Sequence, residues 1–332
     1  MKHSSDKFGV QMKATAIAHP IQGLIKYHGL KDPEKRIPFH DSISVCAEAL
    51  RTVTTVETSD TLRQSTIIIN GSKPTQRDEK RVEVVLDRLK SLAKYKGHFK
   101  VVTENSLIEG KGLGFSASGF AALGTATRKA LDLNLNPISL SETVRLGAGS
   151  ATRSLAGGFA LWHANRKGRS YAERLPSGGD KDFSMLIVPI SSEMKTDEAH
   201  AEVLSSPLFR TRLKAVNNML KKMKKAIKKG DIATIGRLAE EDTLNLHAIT
   251  MTGKSRMVLW EPETVKIIHE VIKMRREGMQ AWYSIDTGPS VFVNTLKQNV
   301  DEVQRRLRES GFAKTIVSGV GSKPRISDRH LF

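Results

Sequence analysis

The sequence predicts an α+β protein of two domains, on three observations. The chain has 332 residues, above the ~250–300 at which a single hydrophobic core stops growing. Alternating apolar runs and runs of helical period are interspersed in both halves rather than kept in separate blocks. Hydrophobic residues make up 39% and charged residues 27%, a globular balance. No apolar run reaches the ~18 residues of a membrane span. The boundary is expected near residue 182, giving domains at 1–182 and 183–332.

In chain order, residues 14–70 are rich in short β-like runs such as Ser42–Cys46 and Val53–Glu57. Thr66–Ile69 ends in Asn70-Gly71, the strongest short hairpin signal. The period then changes. Val82, Val85, Leu86, Leu89 and Ala93 recur at helical spacing, with Lys and Arg on the other face. Phe99–Thr103 reads as a strand leading into the glycine-rich stretch Gly110–Gly119, with helices expected over Ala121–Leu131 and Ser141–Ser154. Apolar Phe183–Ile190 reads as a buried strand that opens the second half. There, helices are expected over Pro207–Lys229, Asp231–Thr250, Glu263–Arg276 and Val300–Leu307, and strands over Gln280–Ile285, Val291–Asn294 and Lys314–Val317.

Several function classes drop out. A single cysteine, Cys46, excludes an internal disulfide framework and a cysteine-rich metal site, and is expected to pack as a small apolar group. The opening residues lack the about 7–15-residue apolar segment of a secretion signal, so a cytoplasmic location is expected. The histidines show no ligand spacing, no metal site is expected, and His247 is read as a satisfied helix residue. Lys and Arg exceed Asp and Glu by 53 − 35 = 18, a field that draws polyanions and small phosphorylated molecules alike. Aromatic residues are only 5%, too few to interleave with cations as single-strand binders do. The run Lys221–Lys229 leaves Leu220, Met223 and Ile227 on one helical face and is expected as a solvated surface. Nucleic acid is therefore an unlikely partner.

The segment Gly110-Lys111-Gly112-Leu113-Gly114-Phe115-Ser116-Ala117-Ser118-Gly119 lies between an expected strand and an expected helix. Glycines let backbone N–H groups approach an anion, and the helix N-terminus adds about half a positive charge. Gly112, Gly114, Ser116 and Ser118 are the candidate phosphate contacts; a tight structural turn is the alternative. Gly253-Lys254-Ser255 fails as a phosphate loop, because the upstream glycine position is Ala248 and a helix precedes it.

Four ordered segments resemble one family. Ile25-Lys26-Tyr27-His28-Gly29, followed by Ile37-Pro38 and Asp41–Val45, is similar to "LKYWGK…NSSISV". Gly112–Leu123 resembles "GLASSAAGFAAL", Gly147–Gly158 resembles "GSGSACRSLFGG", and Ser284–Ser290 resembles "TFDAGPN". These are motifs of the mevalonate diphosphate decarboxylases, in the GHMP kinase superfamily. The resemblance implies a GHMP-kinase-like fold: an N-terminal domain like that of ribosomal protein S5, a ferredoxin-like C-terminal domain and a cleft between them. It also implies a homodimer and a small phosphorylated mevalonate as substrate. Carried over by position, Asp286, Lys26 and Arg153 surround the reacting carbon, Ser150 binds the substrate phosphate and Tyr27 lies beside the substrate. Read without the resemblance, Asp286 in Asp-Thr-Gly-Pro is as readily a cap or turn residue, and Lys26 and Arg153 are solvated charges.

The departures from the family pattern carry their own expectations. Phe115-Ser116 stands where the family has paired serines, which argues against ordinary ATP use. The second lysine of the first motif is Leu30, with Lys31 one place on, and the first serine of the third is Ala148. Fewer donors there suggest a single 5-phosphate, with Lys31 and Lys195 as substitute ligands. The expected reaction is loss of the 3-phosphate and CO2 from (R)-mevalonate 3,5-bisphosphate, giving isopentenyl phosphate as in an archaeal branch of isoprenoid synthesis, with no cofactor. An ATP- and Mg-dependent diphosphomevalonate or phosphomevalonate decarboxylase is the alternative. The former nucleotide cleft is expected to be empty, collapsed or occupied by an apolar ligand.

Overall fold

The computed structural model describes residues 12–106, 108, 110–192 and 199–332. The class is α+β, as expected. In the first half, β1 (Lys13–Ala18), β6 (Thr52–Ser59), β7 (Thr66–Ile69) and β8 (His98–Asn105) form a sheet ordered β15-β1-β6-β8-β7, whose edge strand β15 (Arg325–Ser327) comes from the far end of the chain. A second sheet runs β10-β9-β5-β2, from β2 (Ile21–Ile25), β5 (Ser42–Cys46), β9 (Phe159–Arg166) and β10 (Arg169–Arg174). The third, β12-β13-β11-β14, comprises β11 (Phe183–Val188), β12 (Ala281–Ser284), β13 (Val291–Leu296) and β14 (Ile316–Ser318). A short ribbon pairs β3 (Leu30–Asp32) with β4 (Ile37–Pro38).

The helices follow the apolar periodicity. In α1 (Gln76–Ala93), Thr75 caps the first turn by accepting from the Asp78 N–H, and Val82, Val85, Leu86 and Leu89 are buried. They pack with α2 (Phe115–Ala130) and α3 (Pro137–Gly147) on Phe99 and Val101 of β8. In α6 (Phe209–Lys229) the apolar residues Leu220, Met223 and Ile227 are buried and the lysines between them exposed, as the spacing predicts. With α7 (Ile232–Met251), α6 builds a core that runs from Leu24, Ile43 and Phe159 of the second sheet to Phe183, Met185 and Phe292 of the third. This core joins the two halves and fixes β2 against α7. Helices α8 (Pro262–Arg276) and α9 (Val300–Glu309) cover the other face of the third sheet through Ile267, Val271, Val303 and Leu307. Cys46 is buried against Ile21 and Ala117, and its thiol is pushed up to about 12 by burial.

Five local expectations change. Asn70-Gly71 closes a one-residue bridge from Ile69 to Ser72 and leads into α1; β7 instead pairs in parallel with β8. The expected helix Ser141–Ser154 is broken into α3 and α4 (Ala151–Ala156), because the Phe120 ring closes on Gly147 while Trp162 and the Tyr27 hydroxyl close on Gly149. Helix α2 begins at Phe115, six positions before the expected Ala121, so the end of the glycine loop is already helix. The β9–β10 hairpin was not anticipated. Finally, residues 325–327, expected in the second domain, pair with β1 through Thr15–Ser327, Ala16–Ile326 and Ile17–Arg325, giving the edge of the first sheet a partner.

Candidate active site

Four segments far apart in sequence meet at one cleft of about 300 Å3: the end of β2, the glycine loop before α2, the break between α3 and α4, and the loop after β12. Two glycines make the junction possible. Gly114 has φ +77° and a Cβ there would lie 2.6 Å from the Ile21 carbonyl oxygen. At Gly112, with φ +78°, a Cβ would lie 2.7 Å from the Gly288 carbonyl oxygen. Any side chain would push the loop off β2 or off the Asp286 segment.

Asp286 lines the cleft, and both carboxylate oxygens accept the Gly23 N–H, at 2.9 and 3.0 Å. Burial raises its carboxyl to about 6, against the opposing pull of Lys26, the Gly23 N–H and Arg153. The group is therefore ionised by about ten to one at pH 7, with little reserve.

Lys26 is buried at the end of β2, and its ammonium donates to Thr243 Oγ1 at 3.0 Å and to the Ala239 carbonyl at 3.3 Å. Asp242 Oδ2 stands 3.7 Å away. No ion pair within 4.0 Å links Lys26 to Asp286; its charge favours the ionised aspartate from further off. An ammonium has three donors, two of them used on α7, and Lys26 lines the cleft where the third can meet a ligand. Burial lowers the Lys26 value, while Asp242 and Asp286 raise it. Behind it, Asp242 accepts Arg212 Nη2 at 2.9 Å and the Lys26 backbone N–H at 2.8 Å, so the buried charges are paired.

Arg153, on α4, is buried and lines the same cleft. Its guanidinium lies 5.3 Å from the Tyr27 ring and 5.7 Å from the Trp162 ring, and Nε has no hydrogen-bond partner. Tyr27 packs edge-on to Trp162 at 4.8 Å. Burial raises its hydroxyl, and Arg153, Arg36 and Arg81 oppose that. Ser150 lines the cleft at the head of α4 without capping it, and Gly112, Gly114 and Ser116 line it as well.

Two expected contacts lie elsewhere. Ser118 is buried one helical turn into α2, where its hydroxyl is shared between Thr52 Oγ1 at 2.7 Å and the Phe115 carbonyl at 3.2 Å. The early start of α2 turns that face inward. Lys31 is exposed on β3, a strand none of whose residues lines the cleft. Lys195 falls outside the described residues. His247 departs from expectation too. It is buried on α7 beside Trp260, with both ring nitrogens lacking a well-formed hydrogen bond, and burial lowers it to about 3. It is neutral.

The sequence reading missed two arginines. Arg36 Nε donates to the Leu146 carbonyl at 2.9 Å, and Arg81 Nε donates to the Gly147 carbonyl at 2.9 Å. Both line the cleft beside Tyr27 and Ser150. The last carbonyls of α3 thus hold two guanidinium groups in the cleft, and Arg81 also pairs with Asp78 at 3.3 Å. Arg36 carries one local trace, a left-handed φ of +50° at the turn of the β3–β4 ribbon; Arg81 is one cation among several on α1. A second cavity of about 230 Å3, shared with the cleft at Arg81, Phe115 and Ser116, is lined by Ile67, Ile69, Val82, Val101, Phe120 and Leu123. Phe115 is half-buried against the central core and lines both spaces.

Comparison with known proteins places the whole chain in one family. Residues 18–172 match the diphosphomevalonate decarboxylase-like N-terminal domain, and residues 188–325 match the mevalonate 5-diphosphate decarboxylase C-terminal domain. A phosphomevalonate decarboxylase of Haloferax volcanii is 37% identical over 319 residues, covering 96% of this chain and 98% of that protein. A diphosphomevalonate decarboxylase of Debaryomyces hansenii is 29% identical, over 84% of this chain and 78% of its own. Among solved structures, the mevalonate diphosphate decarboxylase of Staphylococcus aureus superimposes with a TM-score of 0.90 at 29% identity, over 96% of this chain and 99% of that one. That of Enterococcus faecalis, described with mevalonate diphosphate-mediated ATP binding, gives 0.89 at 29% identity, over 96% and 100%. No described helix is long and apolar enough to cross a membrane. The chain belongs to the mevalonate diphosphate decarboxylase family of the GHMP kinase superfamily and is a decarboxylase with its two-domain α+β fold.

Proposed function

We propose that the protein removes phosphate and CO2 from a mevalonate carrying one phosphate at C5, giving isopentenyl phosphate. The carrying observation is the cluster around Tyr27: Arg36, Arg81 and Arg153 all act on its hydroxyl, and with Ser150 they line the same cleft as Asp286. With Leu30 and Ala148 in place of a lysine and a serine, that cluster suits one phosphate rather than two. The similarity to a phosphomevalonate decarboxylase supports the same size of substrate.

In this reading the C3 phosphate arrives on the substrate, as (R)-mevalonate 3,5-bisphosphate, and no nucleotide takes part. Phe115, where the family has a serine, supports it: an apolar ring sits at the passage between the cleft and the second cavity. The C3–O bond breaks with its electron pair going to the departing phosphate, and positive charge grows at C3. The C1–C2 pair then forms the C2–C3 double bond and CO2 leaves. Asp286 stabilises the growing cation: opposite unit charges at 4 Å interact by about 4 kcal/mol at an effective dielectric of 20. The third donor of Lys26 and the guanidinium of Arg153 hold the substrate phosphate and carboxylate. The glycine loop and Ser116 receive the released phosphate. The second cavity then takes an apolar ligand, and saturable displacement of a fluorescent fatty acid tests this.

A second reading has its own support. The second cavity and the ATP described for the Enterococcus faecalis relative favour phosphoryl transfer at C3 before elimination. The glycine loop, the N-terminus of α2, Lys111 and Ser116 are the residues that would hold a nucleotide's phosphates. One assay separates the two. Release of CO2 and phosphate from the bisphosphate without nucleotide, lost in Asp286→Asn, supports the first. Turnover of 5-phosphomevalonate only with Mg-ATP overturns it. A homodimer is also proposed, to be read by sedimentation equilibrium.

A further inference from the structure

One hydroxyl outside the cleft joins the two reacting side chains. Thr243, buried on α7, donates to the Ala239 carbonyl at 2.8 Å and accepts both Lys26 Nζ at 3.0 Å and the Ile285 N–H at 3.2 Å. A hydroxyl has one donor and two lone pairs, and all three are engaged. Lys26 is the second residue of the first motif, and Ile285 is the residue before Asp286. The Thr243 oxygen is thus a shared pivot between an ammonium on the first half and the peptide that carries the carboxylate on the second. Its neighbour Asp242 grips the Lys26 backbone N–H, while Arg212 Nη2 reaches the Lys26 carbonyl at 2.8 Å. Lysine and strand end are therefore both referenced to a single turn of α7.

We infer that Thr243 is a positioning residue: its hydroxyl anchors Lys26 to α7, withholding it from Asp286 until substrate arrives, and sets the Ile285-Asp286 segment at the matching height. Among the described residues, the acids whose charge acts on Lys26 are Asp242 and Asp286; without that anchor Lys26 can close on Asp286, and a collapsed Lys26–Asp286 pair leaves neither group for substrate. The charged groups facing Asp286 are Lys26 at the end of β2, Arg153 on α4 and Asp242 on α7; those facing Lys26 add Arg212 on α6. His247, the other titratable neighbour on α7, is neutral throughout.

The inference rests on the proposed reaction for its kinetic arm only. Thr243→Val is nearly isosteric and removes the hydroxyl; Thr243→Ser keeps it. The Asp286 titration is read by carboxyl-carbon NMR on protein with labelled aspartate, assigned with Asp286→Asn, in the absence of substrate. In Thr243→Val the Asp286 midpoint is expected to fall by about one pH unit, as for a carboxyl gaining a close cation. In the same variant, kcat on mevalonate 3,5-bisphosphate is expected to drop at least tenfold and KM to rise, because a Lys26 paired with Asp286 no longer meets the substrate. Thr243→Ser restores both. If valine prevents folding, Thr243→Ala gives the same two readings. An unchanged Asp286 titration in the folded variant overturns the inference, whatever its activity. A shifted titration beside a parent protein inert on the bisphosphate upholds the inference and sinks the proposed substrate instead.

Discussion

In the proposed reaction Asp286 acts as an anion in surroundings that disfavour anions, and its behaviour with pH follows. With its carboxyl raised to about 6, kcat/KM should rise with pH through that value and level off above 7, and a pH–rate profile checks it. The same burial costs stability: a folded-state value above the unfolded one favours the folded protein at low pH and is a penalty once pH exceeds about 6. Asp286→Asn removes the penalty. Melting at pH 8 should therefore rise by about 2–4 °C, while turnover falls by at least ~10²–10³. A lower melting temperature would mean that Asp286 holds the fold. Arg36 tests the cluster around Tyr27. Arg36→Ala should raise KM about tenfold, the size of one charge-assisted hydrogen bond, with kcat little changed. Equal loss in kcat would place Arg36 at the reacting carbon instead.

At the scale of elements, the glycine loop and the α3–α4 break are where backbone conformation makes the site. Gly112→Ala puts a Cβ 2.7 Å from the Gly288 carbonyl oxygen on a left-handed residue, so it should lower both melting temperature and activity. Gly119→Ala, with open space around its Cβ, should leave both near the parent values. Contiguous motifs made this part of the site legible: Lys26, Arg153, Ser150 and Asp286 each sit in an ordered run that resembles the family, and the cleft brings them together. Ser118 misled because the helix begins at Phe115, and that start is set by how Gly114 meets β2, which the sequence does not display. Arg36, Arg81 and Thr243 were hidden for a related reason. Each lies in an unremarkable stretch and gains its role from a contact more than 40 residues away.

For the whole molecule, a net charge of +18 concentrates a phosphorylated substrate near a cleft already lined by cations. Raising salt should lower kcat/KM and leave kcat nearly constant, since screening acts on encounter rather than on the bound complex. The return of β15 to the first sheet has a consequence of a different kind. The Lys13 ammonium donates to the backbone carbonyl of Phe332 at 3.0 Å, and the Phe332 ring lies under the Lys13 and Lys100 ammonium groups. Residues 13 and 332 are thus neighbours in space, while the exposed tip of the β9–β10 hairpin at Lys167-Gly168 lies on another sheet. A permuted gene that leaves out residues 1–12, joins position 332 to position 13 through a short linker and opens the chain at that hairpin tip would keep the pairing of β15 with β1, turning a three-residue edge strand into an internal connection.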